Sequence, residues 1–201
     1  CLAGANLVTV GNTHDKVLSK FATATSQLRI GDAMSEQTDM GPVVSKNAKQ
    51  RILSNIEQGV DEGAKPVLDG RSVSVAEFPE GYYLGPTIFD DVTSDMKLSK
   101  QEIFGPVAST IQEDSLDAAI EFINSNTKFG NMASIFTTSG KSAREFRRRV
   151  NAGNIGINIG VASPAGNFPF GGRRESFYGI LHAQIDTVEF FTDKKVIISR
   201  W

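Results

Sequence analysis

The stretch Lys100–Ile123, KQEIFGPVASTIQEDSLDAAIEFI, places a run of apolar and β-branched residues directly before a segment with helical periodicity. We predict a strand at Val107–Gln112 and a helix at Leu116–Ile123, with Asp114 or Ser115 as the helix N-cap. A strand followed by a helix, repeated along a chain, is typical of an α/β domain with parallel or mixed strands. The predicted fold class is therefore α/β.

The same alternation continues outward in both directions. Further strands are predicted at Ala5–Val10, Lys65–Leu68, Ala133–Thr138, Asn154–Ile159 and Lys195–Ser199. Further helices are predicted at Asp15–Leu28, capped by Asn12 or Thr13, and at Ser45–Glu62, Lys141–Val150 and Ile185–Phe191. Between them, Gly31–Pro42 is predicted as a loop, Asp69–Gly81 fits a hairpin, and Tyr82–Val92 fits a strand pair or a bulged strand.

The composition is that of a soluble globular chain. Of the 201 residues, 40% are hydrophobic and 22% are charged, and the formal net charge is -2. This balance argues against a nucleic-acid partner, because proteins that bind phosphate backbones usually carry a basic excess. No apolar run approaches the roughly 18–20 residues of a membrane helix, and no basic segment precedes an apolar one as in a signal peptide. We therefore expect a cytoplasmic protein that binds neither nucleic acid nor membranes.

Cys1 is the single cysteine, so no internal disulfide can form, and no Cys/His cluster has the spacing of a zinc site. A thiolate is the strongest nucleophile that a side chain offers near neutral pH. Three interpretations compete: a half-buried thiol at a chain end, an acylated lipoprotein cysteine, or the N-terminal nucleophile of a self-processing hydrolase. The apolar segment Leu2–Val10 disfavours the second, and the alternation of helices and strands disfavours the third.

Glu102 and Phe104 form a second candidate site, next to the turn Gly105-Pro106. A carboxylate beside an aromatic ring can accept hydrogen bonds from two neighbouring sugar hydroxyls while the ring covers an apolar or π face. This arrangement would suit a ribose. The alternative is a solvated Glu102 next to a Phe104 that belongs to the core.

The segment Asn158–Gly179, NIGVASPAGNFPFGGRRESFYG, is rich in glycine and aromatic residues and has no periodicity. Long loops of this kind are often functional, so we predict packing against a ligand or another chain, with an ordinary buried loop as the alternative. A phosphate-binding loop is not expected, because neither of the common glycine-rich spacings is present.

Taken together in chain order, these segments resemble the catalytic part of the NAD(P)-dependent aldehyde dehydrogenases. The matching segments are Cys1–Ala3, Met40–Val44, Gly81–Ile88, Glu102–Val107 and Phe168–Gly172. Glu102–Val107, EIFGPV, is the most specific of them. The resemblance covers essentially the whole chain but only the last part of the family's usual length.

Several details resemble one branch of the family, the CoA-acylating methylmalonate-semialdehyde dehydrogenases. They are Gly156–Val161, Phe177–Gly179, Leu181–Ala183 and Phe191–Val196, whereas Gly171 and Arg173-Arg174 depart from that branch. One alternative is a hydrolytic aldehyde dehydrogenase, in which water takes the place of CoA. An alternative of another class is a non-catalytic binding or assembly module.

The resemblance implies a role for each candidate residue. Cys1 is expected to be the catalytic nucleophile, Glu102 to hold the nicotinamide ribose, and Phe104 to flank it. Phe168 and Phe170 are expected to lie on the loop that closes over the substrate. The expected substrate is a small aldehyde, the cofactor NAD and the co-substrate CoA, and no metal is expected.

The resemblance also implies an architecture: a mostly parallel, twisted sheet flanked by helices. The catalytic domain is expected at residues 1–180, and a C-terminal segment at residues 181–201 is expected to carry an oligomerisation strand for a homodimer or homotetramer. The family's NAD-binding domain, its oxyanion-hole asparagine and its general base precede the catalytic cysteine. They are therefore expected outside this chain, which on its own should be inactive.

Overall fold

The computed structural model of the protein describes residues 2–161, 164–179 and 184–201. The chain divides into two compact units. One is Gly4–Thr127, and the other is Lys128–Trp201 together with the first residues of the chain. The predicted boundary at residue 180 stays a prediction, since compactness alone does not define a domain.

A four-stranded sheet organises the first unit. Its strands, in chain order, are β1 Asn6–Val10, β2 Lys65–Leu68, β3 Thr87–Asp90 and β4 Val107–Glu113. They lie side by side in the order β1-β4-β3-β2, and β4 is parallel to both of its neighbours whereas β2 is antiparallel to β3. The predicted α/β class with a mostly parallel sheet is confirmed.

Four helices accompany this sheet: α1 His14–Ser26, α2 Lys46–Asp61, α3 Lys97–Lys100 and α4 Leu116–Ser125. Ser45 and Ser115 cap α2 and α4, because each hydroxyl accepts a hydrogen bond from a backbone N–H of the first turn, at 3.1 Å. Thr13, one of the two residues predicted to cap α1, occupies its N-cap position, but its side chain makes no capping hydrogen bond. A short 3-10 turn precedes α1, and the Thr13 hydroxyl donates instead to the Val10 carbonyl.

The core of this unit combines residues of α2, the sheet and α4. Ile52 and Ile56 are four residues apart on α2 and therefore point to the same side of the helix. Both are fully buried and belong to one apolar cluster with Phe89 of β3, Ile111 of β4 and Phe122 of α4.

Two predictions between β2 and β3 are wrong. Asp69–Gly81 forms turns and bends without a strand, and Tyr82–Val92 contains one strand, β3, while the irregularity in pairing lies on β2. The reason is a close approach of two glycines. The Gly85 N–H donates to the Gly70 carbonyl (2.9 Å), and a Cβ on Gly70 would lie 2.0 Å from the Gly85 oxygen.

The second unit contains a parallel pair of strands, β5 Met132–Ile135 and β6 Asn154–Ile157, joined through helix α5 Gly140–Arg149. Helix α6, Gln184–Phe191, follows as predicted. The strand predicted at Lys195–Ser199 does not form within this chain. A strand needs a neighbour for its backbone groups, and among the described residues of this unit the segment joins neither β5 nor β6.

In the described ranges, none of the helices has the length and apolar character needed to cross a lipid bilayer.

Candidate functional site

The loop that connects α3 to β4 carries Glu102 and Phe104. Ile103, between them, is buried in the core, so its two neighbours project outward. The Phe104 ring is 71% exposed. The alternative in which Phe104 belongs to the core is therefore wrong, because Ile103 occupies that place.

The backbone at Phe104 has a φ of 56°, in the left-handed region that residues other than glycine rarely adopt. The next residue packs closely against α2. A Cβ on Gly105 would lie 2.6 Å from Cδ1 of Ile52, so only glycine fits against α2 at this point. After it, the Pro106 carbonyl accepts a hydrogen bond from the Thr87 N–H (2.8 Å) as β4 begins.

Glu102 is exposed, and no hydrogen bond or ion pair joins its carboxylate to another of the described residues. Four lone-pair sites are therefore available to a ligand, beside an aromatic ring that solvent can reach. A vicinal diol such as that of ribose can donate to both carboxylate oxygens, and the ring can cover the flat group attached to the sugar. The two residues therefore carry the groups that a ribonucleoside needs and are the candidate cofactor contacts of the first unit.

The Gly-Pro segment and the double-tyrosine segment lie together in the same unit. The Val43 N–H donates to the Tyr82 carbonyl at 3.0 Å, and Val43 packs against the core. Two of the sequence motifs that resemble the family are thus structural neighbours.

In the second unit, Phe168 is 60% exposed and Phe170 is half-buried. The glycines that follow are packed tightly. The Gly171 carbonyl accepts a hydrogen bond from Nδ2 of Asn154 (2.6 Å), and a Cβ on Gly153 would lie 2.5 Å from Gly171. The loop is therefore held at its glycines while Phe168 reaches solvent, and its role toward a substrate stays a prediction.

Two of the sequence candidates, Cys1 and the segment Leu181–Ala183, lie outside the described residues. Glu102 and Phe104 are brought together on one loop of the first unit, whereas Phe168 and Phe170 belong to the second unit.

A buried polar network escaped the sequence analysis. Nε2 of His14 lies 3.0 Å from Oδ1 of Asp90, and Nδ1 lies 2.8 Å from Oγ1 of Thr9. Asp90 also accepts a hydrogen bond from the Thr110 hydroxyl (2.7 Å). These residues come from α1 and three strands, so no local spacing could have revealed them.

Burial alone would raise the pKa of Asp90, but hydrogen bonds from Thr110, the Asp91 backbone and His14 outweigh it and hold the pKa below its usual range. The order of Thr9, His14 and Asp90 is that of a catalytic triad. However, Thr9 is only 4% exposed and its hydroxyl also contacts the Ile111 carbonyl (3.1 Å). The network therefore stabilises the junction of α1 with the sheet and offers no accessible nucleophile.

Comparison with known proteins identifies the family of this chain. The model of the aldehyde dehydrogenase family matches residues 1–197. The chain belongs to the aldehyde dehydrogenase family. The family predicted from the sequence is thereby confirmed.

Individual members agree with this assignment. Malonate-semialdehyde dehydrogenase 1 of Oceanobacillus iheyensis is 45% identical over 202 residues, which are 100% of this chain and 41% of that protein. The crystal structure of methylmalonate-semialdehyde dehydrogenase from Oceanimonas doudoroffii matches with a TM-score of 0.93 and 33% identity, over 98% of this chain and 41% of the other.

A third aldehyde dehydrogenase, from Bacillus cereus, was solved as its NAD+ complex and matches with a TM-score of 0.82 and 33% identity. The match covers 89% of this chain and 35% of that one. The chain thus spans about two-fifths of the length of the curated relatives that it matches.

Proposed function

We propose that this chain is the catalytic part of an NAD-dependent malonate- or methylmalonate-semialdehyde dehydrogenase that transfers the acyl product to CoA. The observation that carries the proposal is the 45% identity, along the whole chain, to a protein named malonate-semialdehyde dehydrogenase. The exposed pair of Glu102 and Phe104 supports it, because this pair fits one sugar of the cofactor.

Glu102 acts by orientation. Its carboxylate accepts hydrogen bonds from the two hydroxyls of the nicotinamide ribose, and the Phe104 ring packs beside the sugar. When bound, NAD supplies the acceptor for the hydride that leaves the aldehyde carbon. Because Glu102 and Phe104 can hold only one end of a dinucleotide, residues outside this chain are expected to bind the rest.

Cys1 acts as the nucleophile. Its thiolate forms a carbon–sulfur bond with the aldehyde carbonyl, and the carbonyl electron pair moves to oxygen. After that carbon has lost a hydride, the same sulfur holds the acyl group as a thioester. An external thiol then attacks the thioester carbon, the bond to Cys1 breaks, and the free thiolate returns.

The acyl acceptor distinguishes this proposal from its hydrolytic alternative. A thiolate attacks a thioester faster than water does unless a base activates the water. Phe177–Gly179 and Leu181–Ala183 resemble the CoA-acylating branch and favour the thiol.

The test uses the full-length enzyme with malonate and methylmalonate semialdehyde, NAD, and either CoA or none. NADH formation should depend on CoA, with acyl-CoA as the product. The Cys1→Ala variant, as control, should form no NADH while it still binds NAD. Release of the free acid at a rate that CoA does not change would assign a hydrolytic enzyme, and turnover by Cys1→Ala would remove Cys1 from the mechanism.

The remaining parts of the proposal concern organisation. We propose a cytoplasmic homodimer or homotetramer, in which residues 1–180 form the catalytic domain and residues 181–201 carry the strand that joins the copies. The exposed apolar side chains of Val196, Ile197 and Ile198 support an interface there.

A further inference from the structure

The backbone carbonyl groups around the Glu102–Phe104 loop are held by side chains from distant elements. The Ser99 carbonyl accepts from Nδ2 of Asn6 (3.0 Å) and from Nδ2 of Asn126 (3.1 Å). The Lys100 carbonyl accepts from the Thr127 hydroxyl (3.2 Å). Because α3 ends at Lys100, these carbonyls have no partner further along the helix. The start of the loop is therefore fastened to β1 and to the end of α4.

Among the described residues, one side-chain donor reaches the carbonyl that lies between Glu102 and Phe104. Nη1 of Arg51, on α2, donates to the oxygen of Ile103. The adjacent residue of α2, Ile52, lies against the backbone of Gly105. Two consecutive residues of α2 thus hold two nearby points of the loop, one by a hydrogen bond and one by contact.

The Ile103 carbonyl belongs to the peptide unit that links Ile103 to Phe104. Since a peptide unit is planar, rotation of this carbonyl changes ψ of Ile103 and φ of Phe104 together. A donor that fixes the oxygen therefore holds Phe104 at its positive φ, which an unrestrained phenylalanine would leave. Arg51 thereby ties the peptide unit after Ile103 to α2, and Glu102 and Phe104 leave the loop on either side of Ile103.

Arg51 is suited to this task. Its guanidinium presents several N–H donors in a rigid plane. In the part of the chain that the structure describes, no ion pair involves Arg51, so its hydrogen bond to Ile103 does not compete with a carboxylate.

We propose that Arg51 is a positioning residue that acts through the Ile103 carbonyl to present Glu102 and Phe104 to the cofactor. The consequence for catalysis rests on the proposed function. The positioning itself does not, because it concerns a bond within this chain.

The first test measures the backbone mobility of the loop in the absence of any cofactor. Backbone ¹⁵N relaxation of this chain should give order parameters of about 0.85 for residues 102–105, and Arg51→Met should lower them to below about 0.6. Arg51→Lys, which keeps one charged donor, should restore part of the order. The matched control is Arg144→Met, an exposed arginine on α5, which should leave these residues unchanged. Unchanged order parameters in Arg51→Met overturn the proposal.

The second test uses the full-length enzyme. Arg51→Met should lower kcat/KM for NAD about tenfold, since a displaced binding group loses its productive geometry. In a Glu102→Gln background the same change should have little further effect, because Arg51 acts through the position of Glu102. Full additivity of the two effects would contradict this route. A wild-type enzyme that oxidises no aldehyde would overturn the proposed function, while the relaxation result would still decide the positioning role.

Discussion

At the scale of single residues, Phe104 combines an unfavourable backbone conformation with a side chain that packs against little. Its φ of 56° costs roughly 1–2 kcal/mol for a residue other than glycine, and its ring is 71% exposed. Because the side chain is mostly exposed, its packing does not offset that cost. Such strain is usual where a side chain must be presented to a ligand.

Two substitutions at position 104 test whether the backbone of Phe104 is strained. Phe104→Gly relieves the strain but adds roughly 0.5–1 kcal/mol of chain entropy, whereas Phe104→Ala keeps the strain. The free energy of unfolding, measured in urea, should therefore be higher for Phe104→Gly than for Phe104→Ala by about 1 kcal/mol. If the alanine variant is the more stable one, the left-handed conformation carries no strain.

Glu102 should orient the cofactor without exchanging protons. Glu102→Gln keeps the shape and one acceptor oxygen, so hydride transfer should slow in the full-length enzyme by about tenfold as the ribose is held less firmly. The pH profile of thioester breakdown should keep its shape, because no acid or base has been removed. Loss of a titrating limb from that profile would make Glu102 the general base instead.

The sequence pointed to Glu102 and Phe104 as a pair but could not show which apolar neighbour is buried. Ile103 and Phe104 are both good core residues. The choice depends on the fit of Gly105 against Ile52, and that contact joins positions far apart in the chain. Arg51 was missed for the same reason, since nothing local marks a donor to a carbonyl of another element.

At the scale of elements, helices with strong local signals were predictable and segments set by tertiary contact were not. Ser45 and Ser115 precede clear apolar periodicity. Ser115 is one of the two residues predicted to cap α4, and Ser45, predicted as the first residue of its helix, is the cap of α2. α3 has four residues, too few to show a period, and was not predicted. The hairpin expected at Asp69–Gly81 fails because Gly70 and Gly85 meet through space, which the turn-rich sequence does not reveal.

The network of His14, Thr9, Asp90 and Thr110 makes the junction between α1 and the sheet dependent on pH. The pKa of Asp90 is lower in the folded chain than its ordinary value of 3.8, so the unfolded chain binds more protons in that range. The stabilisation is therefore present above pH 3.8 and is lost as the pH falls through the lower, folded value.

Asp90→Asn should remove this contribution. At pH 7 the variant should be less stable than the wild type by about 1–2 kcal/mol, since hydrogen bonds to a charged group are lost. The difference should shrink as the pH falls below 3.8 and through the lower pKa of the folded chain, where the wild-type carboxylate becomes protonated. Asp193→Asn, at an exposed position, serves as control and should change little. If the difference in the free energy of unfolding between wild type and variant stays constant as the pH falls from 7 to below 3.8, the charge of Asp90 does not contribute to stability.

At the scale of the whole molecule, the candidate site does not lie at the end of the sheet where open α/β sheets usually bind their ligands. The Glu102–Phe104 loop precedes β4 and lies at the amino end of that strand. Open α/β sheets usually bind their ligands beyond the carboxyl ends of their strands, next to a glycine-rich turn. Neither glycine-rich fingerprint occurs in this sequence. If the loop contacts the cofactor as proposed, the main binding surface must be built by other residues.

The C-terminal segment carries exposed apolar side chains that a second copy of the chain could cover. Val196, Ile197 and Ile198 are 85%, 78% and 94% exposed, and contiguous exposed apolar residues are typical of interaction surfaces. The sequence indicated a strand there, and a strand can form only where another edge offers its backbone groups. If a second copy provides that edge, the isolated chain should associate, and sedimentation should give a multiple of its 21.7 kDa mass.

Proline substitutions test whether backbone pairing holds the copies together. Proline has no N–H to donate, and only alternate residues of a strand donate toward a given partner. Ile197→Pro and Ile198→Pro should therefore weaken association unequally, and the stronger of the two should leave a monomer of 21.7 kDa. Ile197→Val and Ile198→Val keep the donor and should remain associated. A wild-type chain that is monomeric at every concentration, or proline variants that associate as well as the valine variants, would show that this segment does not pair with a second copy.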